Sequence, residues 1–230
     1  AALAEKPNVG YMRALSAEGV LSMSPTLLLV SEAAGPPDAT DVLKRSSVPF
    51  ISVSDETTPA AVSERIRFLG QVVCREEAAA RLVASVDAGF ADLARLRAGV
   101  EAPKRVLFVM SMQSGRPLVA GTGTAADAII ALAGAENAAA AMEGYKPISD
   151  EAVLEAAPDA VLMMESTAGH SGDVLAEPAF RLTPAATGGH LIKMEGQLLL
   201  GFGPRTPSAA MALVRALYPD LATDEAGPRP

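Results

Sequence analysis

The 230-residue chain sets 19 basic side chains against 27 acidic ones for a net charge of −8, which excludes a phosphate-tracking basic face and with it nucleic-acid binding. One Cys and two His rule out an intramolecular disulfide and leave little from which to build a metal site of nitrogen and sulfur ligands. No run of about 18 apolar residues occurs, and the start AALAEKPNVG lacks both the basic opening and the long apolar stretch of an export signal, so the chain reads as soluble, with any such signal already removed.

The first predicted element is a short helix capped by Ser16, whose hydroxyl can accept from an orphan amide, with Glu18 near the positive end of the dipole. Pro25 stops it, and residues 26–30 read as a buried strand. A strand at 48–53 and a helix at 59–73 follow. Cys74 closes that apolar stretch and reads as a small buried hydrophobe. Residues 76–97 place Ala79, Leu82, Val83, Val86, Phe90, Leu93 and Leu96 at helical spacing, a helix about 33 Å long at about 1.5 Å per residue. After Pro103 a new strand at 105–110 opens a second α/β region, with a helix at 125–133, a strand at 191–194 and a final helix at 207–217.

The segment between these last elements repeats the first unit. Ser149, Glu151, Pro158 and an apolar run at 160–164 stand where Ser16, Glu18, Pro25 and 26–30 stand, in a shared S-x-E-x-V-L-x-x-x-P spacing. Duplication predicts an α/β protein of two Rossmann-like lobes, residues 1–75 and 103–230, joined by one long helix at 76–98, with a ligand cleft between the lobes. A helical bridge implies that such a cleft changes width only modestly.

Two patterns carry candidate chemistry. Gly121-Thr-Gly123-Thr-Ala-Ala126 fits G-x-G-x-x-G/A, with Glu143 at the distance of a ribose-binding acid, which makes an NAD-dependent enzyme one reading. The strand at 106–110 does not lead straight into these glycines, so a loop capped by Thr124, with Asp127 completing a capping box, is the favoured reading. His170 and His190 lie in glycine-rich segments without a G-x-S-x-G elbow, and no enzyme is expected. The second pattern precedes each repeat. Gly10-Tyr11-Met12-Arg13 and Gly144-Tyr145-Lys146-Pro147 put two of three tyrosines in near-equivalent loops, each followed by a cation. A deprotonated tyrosine oxygen binds ferric iron strongly, and a neighbouring guanidinium favours the phenolate. The competing reading is a tyrosine that packs its ring and bonds through its hydroxyl.

The runs PNVGYMRALSAEGVLSMSPTLLLVSEAAGPP, VLFVMS, residues 119–134, YKPISDEAVLEAAPDAVLM and LLGFGPRTP resemble the haem-binding periplasmic proteins of bacterial haem ABC importers, the helix-bridged (class III) substrate-binding proteins, along nearly the whole chain. The resemblance implies a periplasmic carrier that delivers ferric haem to an inner-membrane permease and its ATPase, served indirectly by an outer-membrane haem receptor. Haem is then cargo. Tyr11 would be the axial ligand, Arg13 would support the phenolate or a propionate, and Met12, Met112, Tyr145, Lys146 and His170 would complete the pocket. Glu18 and Glu151 would dock on permease arginines, or serve only their helix dipoles, which both could do at once. A cobalamin or ferric-siderophore carrier of the same architecture is the alternative, and would not need Tyr11 at the metal. Two departures stand out: Met112 occupies the segment where family members carry His, and roughly one βαβ unit that precedes the GYMR block in the family is missing, so the first lobe is expected to be truncated.

Overall fold

The computed structural model describes residues 6–113, 115–165 and 173–224. They form a mixed α/β fold in two compact units, residues 1–56 and 57–230. The smaller unit contains the first copy of the repeat. Ser16 accepts from the Gly19 amide and starts α1 (Ala17–Leu21), with Glu18 in its first turn. β1 (Leu28–Ser31) pairs in parallel with β2 (Phe50–Val53), from Leu28↔Phe50 to Ser31↔Val53. Between them lies α2 (Pro37–Arg45), a helix the sequence reading missed. Its signals are Pro37 at the first position, Asp38 in the first turn, and Lys44 and Arg45 in the last. Val20, Leu28 and Leu43 form the core of this unit.

The larger unit begins with α3 (Pro59–Val72), capped by Thr58, and α4 (Glu76–Arg97), which pack on one another. A Cβ on Gly70 would lie 2.3 Å from that of Ala79, so this glycine sets how closely the two helices approach. The turn between them corrects the reading of Cys74, which is exposed at a left-handed φ of 51°. Five of the seven expected positions of α4 are buried, whereas Phe90 is half-buried and Leu82 is 41% exposed.

The remaining elements are β3 (Arg105–Gln113), β4 (Arg116–Ala120), α5 (Ala125–Leu132), β5 (Glu136–Asn137), β6 (Tyr145–Pro147), α6 (Asp150–Ala156), β7 (Ala160–Met164), α7 (Pro184–Gly188), β8 (Leu191–Met194), α8 (Gly196–Leu200), α9 (Thr206–Leu217) and α10 (Pro219–Asp224). The sheet runs β6-β4-β3-β7-β8, with β5 beside the start of β3. β3, β5, β7 and β8 are parallel, while β4 is antiparallel to both β3 and β6.

Period-two alternation buries both faces of this sheet. Val106, Phe108 and Leu162 face a core shared with Val86 and Leu93 of α4, Ile129 and Ile130 of α5, and Leu213 and Val214 of α9. Leu107, Val109, Val161 and Met163 face the other, with Val153 of α6 and Ala185 of α7. The result is three layers, helices over both faces of a mixed sheet.

Candidate functional site

Tyr11, Met12 and Arg13 share one turn in the smaller unit. Gly10 enters it at φ 100°, a value that suits glycine, and its amide donates to Asn8 Oδ1 at 2.8 Å. The Ala14 amide closes the turn on Tyr11 O at 2.8 Å. Two further backbone bonds pin the loop to its neighbour, Gly35 N to Met12 O at 2.9 Å and Leu15 N to Gly35 O at 2.8 Å. The backbone is thus held at several points while the side chains stand out: Tyr11 is 66% exposed, and Arg13 is exposed beside it. A cavity of about 340 Å³ is lined by Gly10 and Met12 of this turn with Val9, Met23, Leu29 and Leu43, while Tyr11 and Arg13 are not part of its lining. A phenol oxygen, a guanidinium and an apolar surface therefore lie within a few residues, a combination that suits an apolar ligand carrying a hard metal ion and an acidic group.

The two tyrosine loops read as near-equivalent differ in the folded chain. Tyr145 is in β6, paired with Ala120, and its ring is half-buried against the core containing Phe108. Three residues of extended chain there make ladder contacts that the short motif did not reveal. Lys146, next along the strand, is exposed, and Met112 lies near the carboxyl end of β3, half-buried against the core containing Val109. His170 lies outside the described residues. The third tyrosine, Tyr218, accepts from the Lys104 amide at 2.9 Å and donates to Gly134 O at 3.1 Å. Burial pushes its hydroxyl above the usual tyrosine range, with the Lys104 amide pulling the other way.

Glu18 and Glu151 occupy the same position in two similar caps. Ser149 starts α6 as Ser16 starts α1, accepting from the Ala152 amide at 3.3 Å, and both glutamates are exposed. The Ser149 hydroxyl, then Glu151's own amide, hold the Glu151 carboxyl below the usual carboxylate range, with Arg116 adding to this. A lowered value of this kind stabilises the fold at neutral pH, and that contribution disappears as pH falls through it.

The glycine motif is explained by the fold. β4 leads directly into Gly121, so the strand that the sequence reading found missing is present. It runs antiparallel to β3, however, which places the glycines toward the amino ends of the parallel strands, opposite the end where open α/β sheets bind ligands. The loop amides are also occupied: Gly121 N donates to Gly144 O, Thr122 N to Met142 O, and Gly144 N returns to Thr122 O. Thr124 caps α5 by accepting from the Asp127 amide, but the Asp127 carboxylate accepts from Asn137 Nδ2 at 2.9 Å. A Cβ on Gly121 would lie 2.1 Å from Met142 O. Gly121→Ala is therefore expected to cost about 1–3 kcal/mol, read as a lower urea midpoint; an unchanged midpoint would show that the 142–144 segment can step aside.

Among the described residues there is no cluster of three His, Cys, Asp or Glu side chains able to hold a metal ion, and no helix long and apolar enough to cross a membrane. The chain belongs to the periplasmic binding protein family, whose description matches residues 1–198. Family members and solved neighbours are binding proteins of transport systems rather than enzymes.

The chain is similar to BhuT, a periplasmic heme-binding protein solved in complex with two hemes, at 38% identity and a TM-score of 0.90, covering 96% of this chain and 85% of that one. It is similar to RhuT, a periplasmic heme-binding protein from Roseiflexus sp. RS-1, at 36% identity and a TM-score of 0.87, covering 95% and 85%. A more distant relative is YvrC of Bacillus subtilis (strain 168), an uncharacterized ABC transporter substrate-binding lipoprotein, 23% identical over 92% of this chain and 68% of that protein.

Proposed function

We propose that this protein binds ferric haem in the periplasm and delivers it to an inner-membrane ABC importer, with Tyr11 as the iron ligand. The observation that carries the reading is the Tyr11 phenol, 66% exposed on a turn whose backbone is fixed and whose neighbours are Arg13 and an apolar cavity. Likeness to heme-binding proteins over at least 95% of the chain supports it. Arg13 supports the phenolate or a propionate, Met12 offers polarizable apolar contact, and Tyr145, Lys146, Met112 and His170 are the further candidate contacts. The lobe division that goes with this reading is 1–75, a helix at 76–98, and 103–230. Tyrosine is one of the side chains that serve as an axial haem ligand, so no clustered histidines are required.

The test is a titration with haemin followed by its visible spectrum. A saturable one- or two-step change with a tyrosinate-type ferric spectrum is expected, and absence of binding would overturn the function. Delivery is assigned to Glu18 and Glu151, docking on cations of the permease, alongside its ATPase. Reversal of both to Arg is expected to lower uptake about tenfold, equivalent to about 1.4 kcal/mol of lost docking, while haemin affinity stays unchanged. Undiminished uptake would remove their docking role.

A further inference from the structure

A polar site not used above lies in the larger unit where the chain passes from α8 to α9. The two elements follow β8, and a Cβ on Gly196 would lie 2.9 Å from Met164 Sδ, so α8 begins against the carboxyl end of β7. This is the end of the parallel strands at which α/β sheets bind ligands. A cavity of about 320 Å³ lies between α8 and the start of α9, lined by Gln197, Leu198, Gly201, Gly203, Arg205 and Thr206, with Pro204.

Three observations converge on an anion. Thr206 is 2% exposed, and its Oγ1 has no hydrogen-bond partner, a condition rare for a buried hydroxyl. The 12-residue helix α9 has no side-chain cap, so its positive end stays uncompensated; Thr206 N is spent on Gly203 O and Pro207 has no N–H, which leaves the Ser208 amide as the first-turn donor. Arg205 is exposed and belongs to none of the ion pairs found among the described residues. The acid nearest in sequence, Glu195, is engaged at the start of α8, accepting from Gln197 N and Leu198 N at 2.8 and 2.7 Å.

The loop is also fixed in shape. Phe202 adopts a left-handed φ of 40° with its ring 3% exposed in the core, and its carbonyl accepts from the Arg65 guanidinium at 2.8 Å. We propose that the turn at 201–206 and the start of α9 bind a carboxylate of the transported ligand, with Arg205 supplying charge and Thr206 and the helix terminus supplying directed donors. The assignment to the transported ligand rests on the haem reading, since haem carries two carboxylates; the anion site itself does not.

Two measurements on the full chain separate these. In the first, amide NMR shifts are followed as sodium propionate replaces sodium chloride at equal ionic strength. Saturable shifts at Gly203, Thr206 and Ser208, abolished in Arg205→Gln and Thr206→Val, are expected; no shifts in the parent would overturn the site. Thr206→Val should melt at or above the parent temperature, because it removes an unpaired hydroxyl, so loss of response would not reflect unfolding. The second compares haemin with haemin dimethyl ester. The parent should prefer haemin about tenfold and both variants should not. Equal affinity in the parent would overturn the assignment to the ligand's carboxylate, even where propionate shifts persist. Failure of both porphyrins to bind would overturn the haem reading and leave the anion site to be judged by the propionate shifts alone.

Discussion

Haemin is expected to bind the Tyr11→Phe chain on the order of 100-fold more weakly than the parent, a loss of about 2.8 kcal/mol at about 1.4 kcal/mol per decade. The tyrosinate-to-iron absorption should vanish with it. Phenylalanine keeps the ring and its apolar contacts, so the change isolates the oxygen. The turn should be unaffected, because its four fixed points are bonds donated by the backbone amides of Gly10, to the Asn8 side chain, and of Ala14, Gly35 and Leu15, to backbone carbonyls, and none uses the phenol. Tyr11 is 66% exposed, so its replacement also costs the fold little, and a melting temperature equal to the parent's is part of the expectation. An unaltered ferric spectrum in Tyr11→Phe would move the iron ligand elsewhere in the chain.

The second large effect concerns the sheet that carries the larger unit. Phe108→Ala should destabilise it by about 3–5 kcal/mol, since truncating a fully buried Phe loses transfer free energy and leaves a cavity that close-packed neighbours fill only in part. Phe108 is fully buried and pairs with Leu162, among side chains from α4, α5 and α9. Against a typical total of about 5–15 kcal/mol, such a loss removes a large share of stability. Urea unfolding reads it as a lower midpoint at constant slope. Leu182→Ala, at a residue 71% exposed, is the control and should shift stability by less than about 0.5 kcal/mol. A loss below about 1 kcal/mol at Phe108 would mean that the sheet and its helices do not share one core.

Much of the fold was legible because some segments carry a single unambiguous period. The long helix α4 starts and ends where its apolar spacing and acidic first turn place it, and β7 and β8 occupy the expected apolar runs. The repeat was readable through Ser16 and Ser149, since a hydroxyl followed by acids in the first turn has one dominant local use. β4 was missed because Pro117 and Gly115 read as a loop; Pro117 is tolerated where antiparallel pairing resumes after the hairpin turn. β6 is too short to show a period, so Tyr145 looked like a loop residue until its pairing with Ala120 was known. Cys74 was misjudged because apolar neighbours in sequence do not report a left-handed turn that lifts a side chain out of a helix pair. For the site, Tyr11 and Arg13 were readable as adjacent chemistry. The unpaired Thr206 hydroxyl was not, because only three-dimensional packing decides whether a threonine finds a partner.

The exposed turn at Cys74 has a practical consequence. It gives the chain one thiol, open to solvent and confined to a short turn between two long packed helices. A maleimide dye would therefore attach at a single stoichiometric position beside two packed helices, without any engineered cysteine. The visible bands of haem overlap the emission of many such dyes, so if the proposed haem binding holds, its arrival and departure would register as dimming and recovery of that dye in real time.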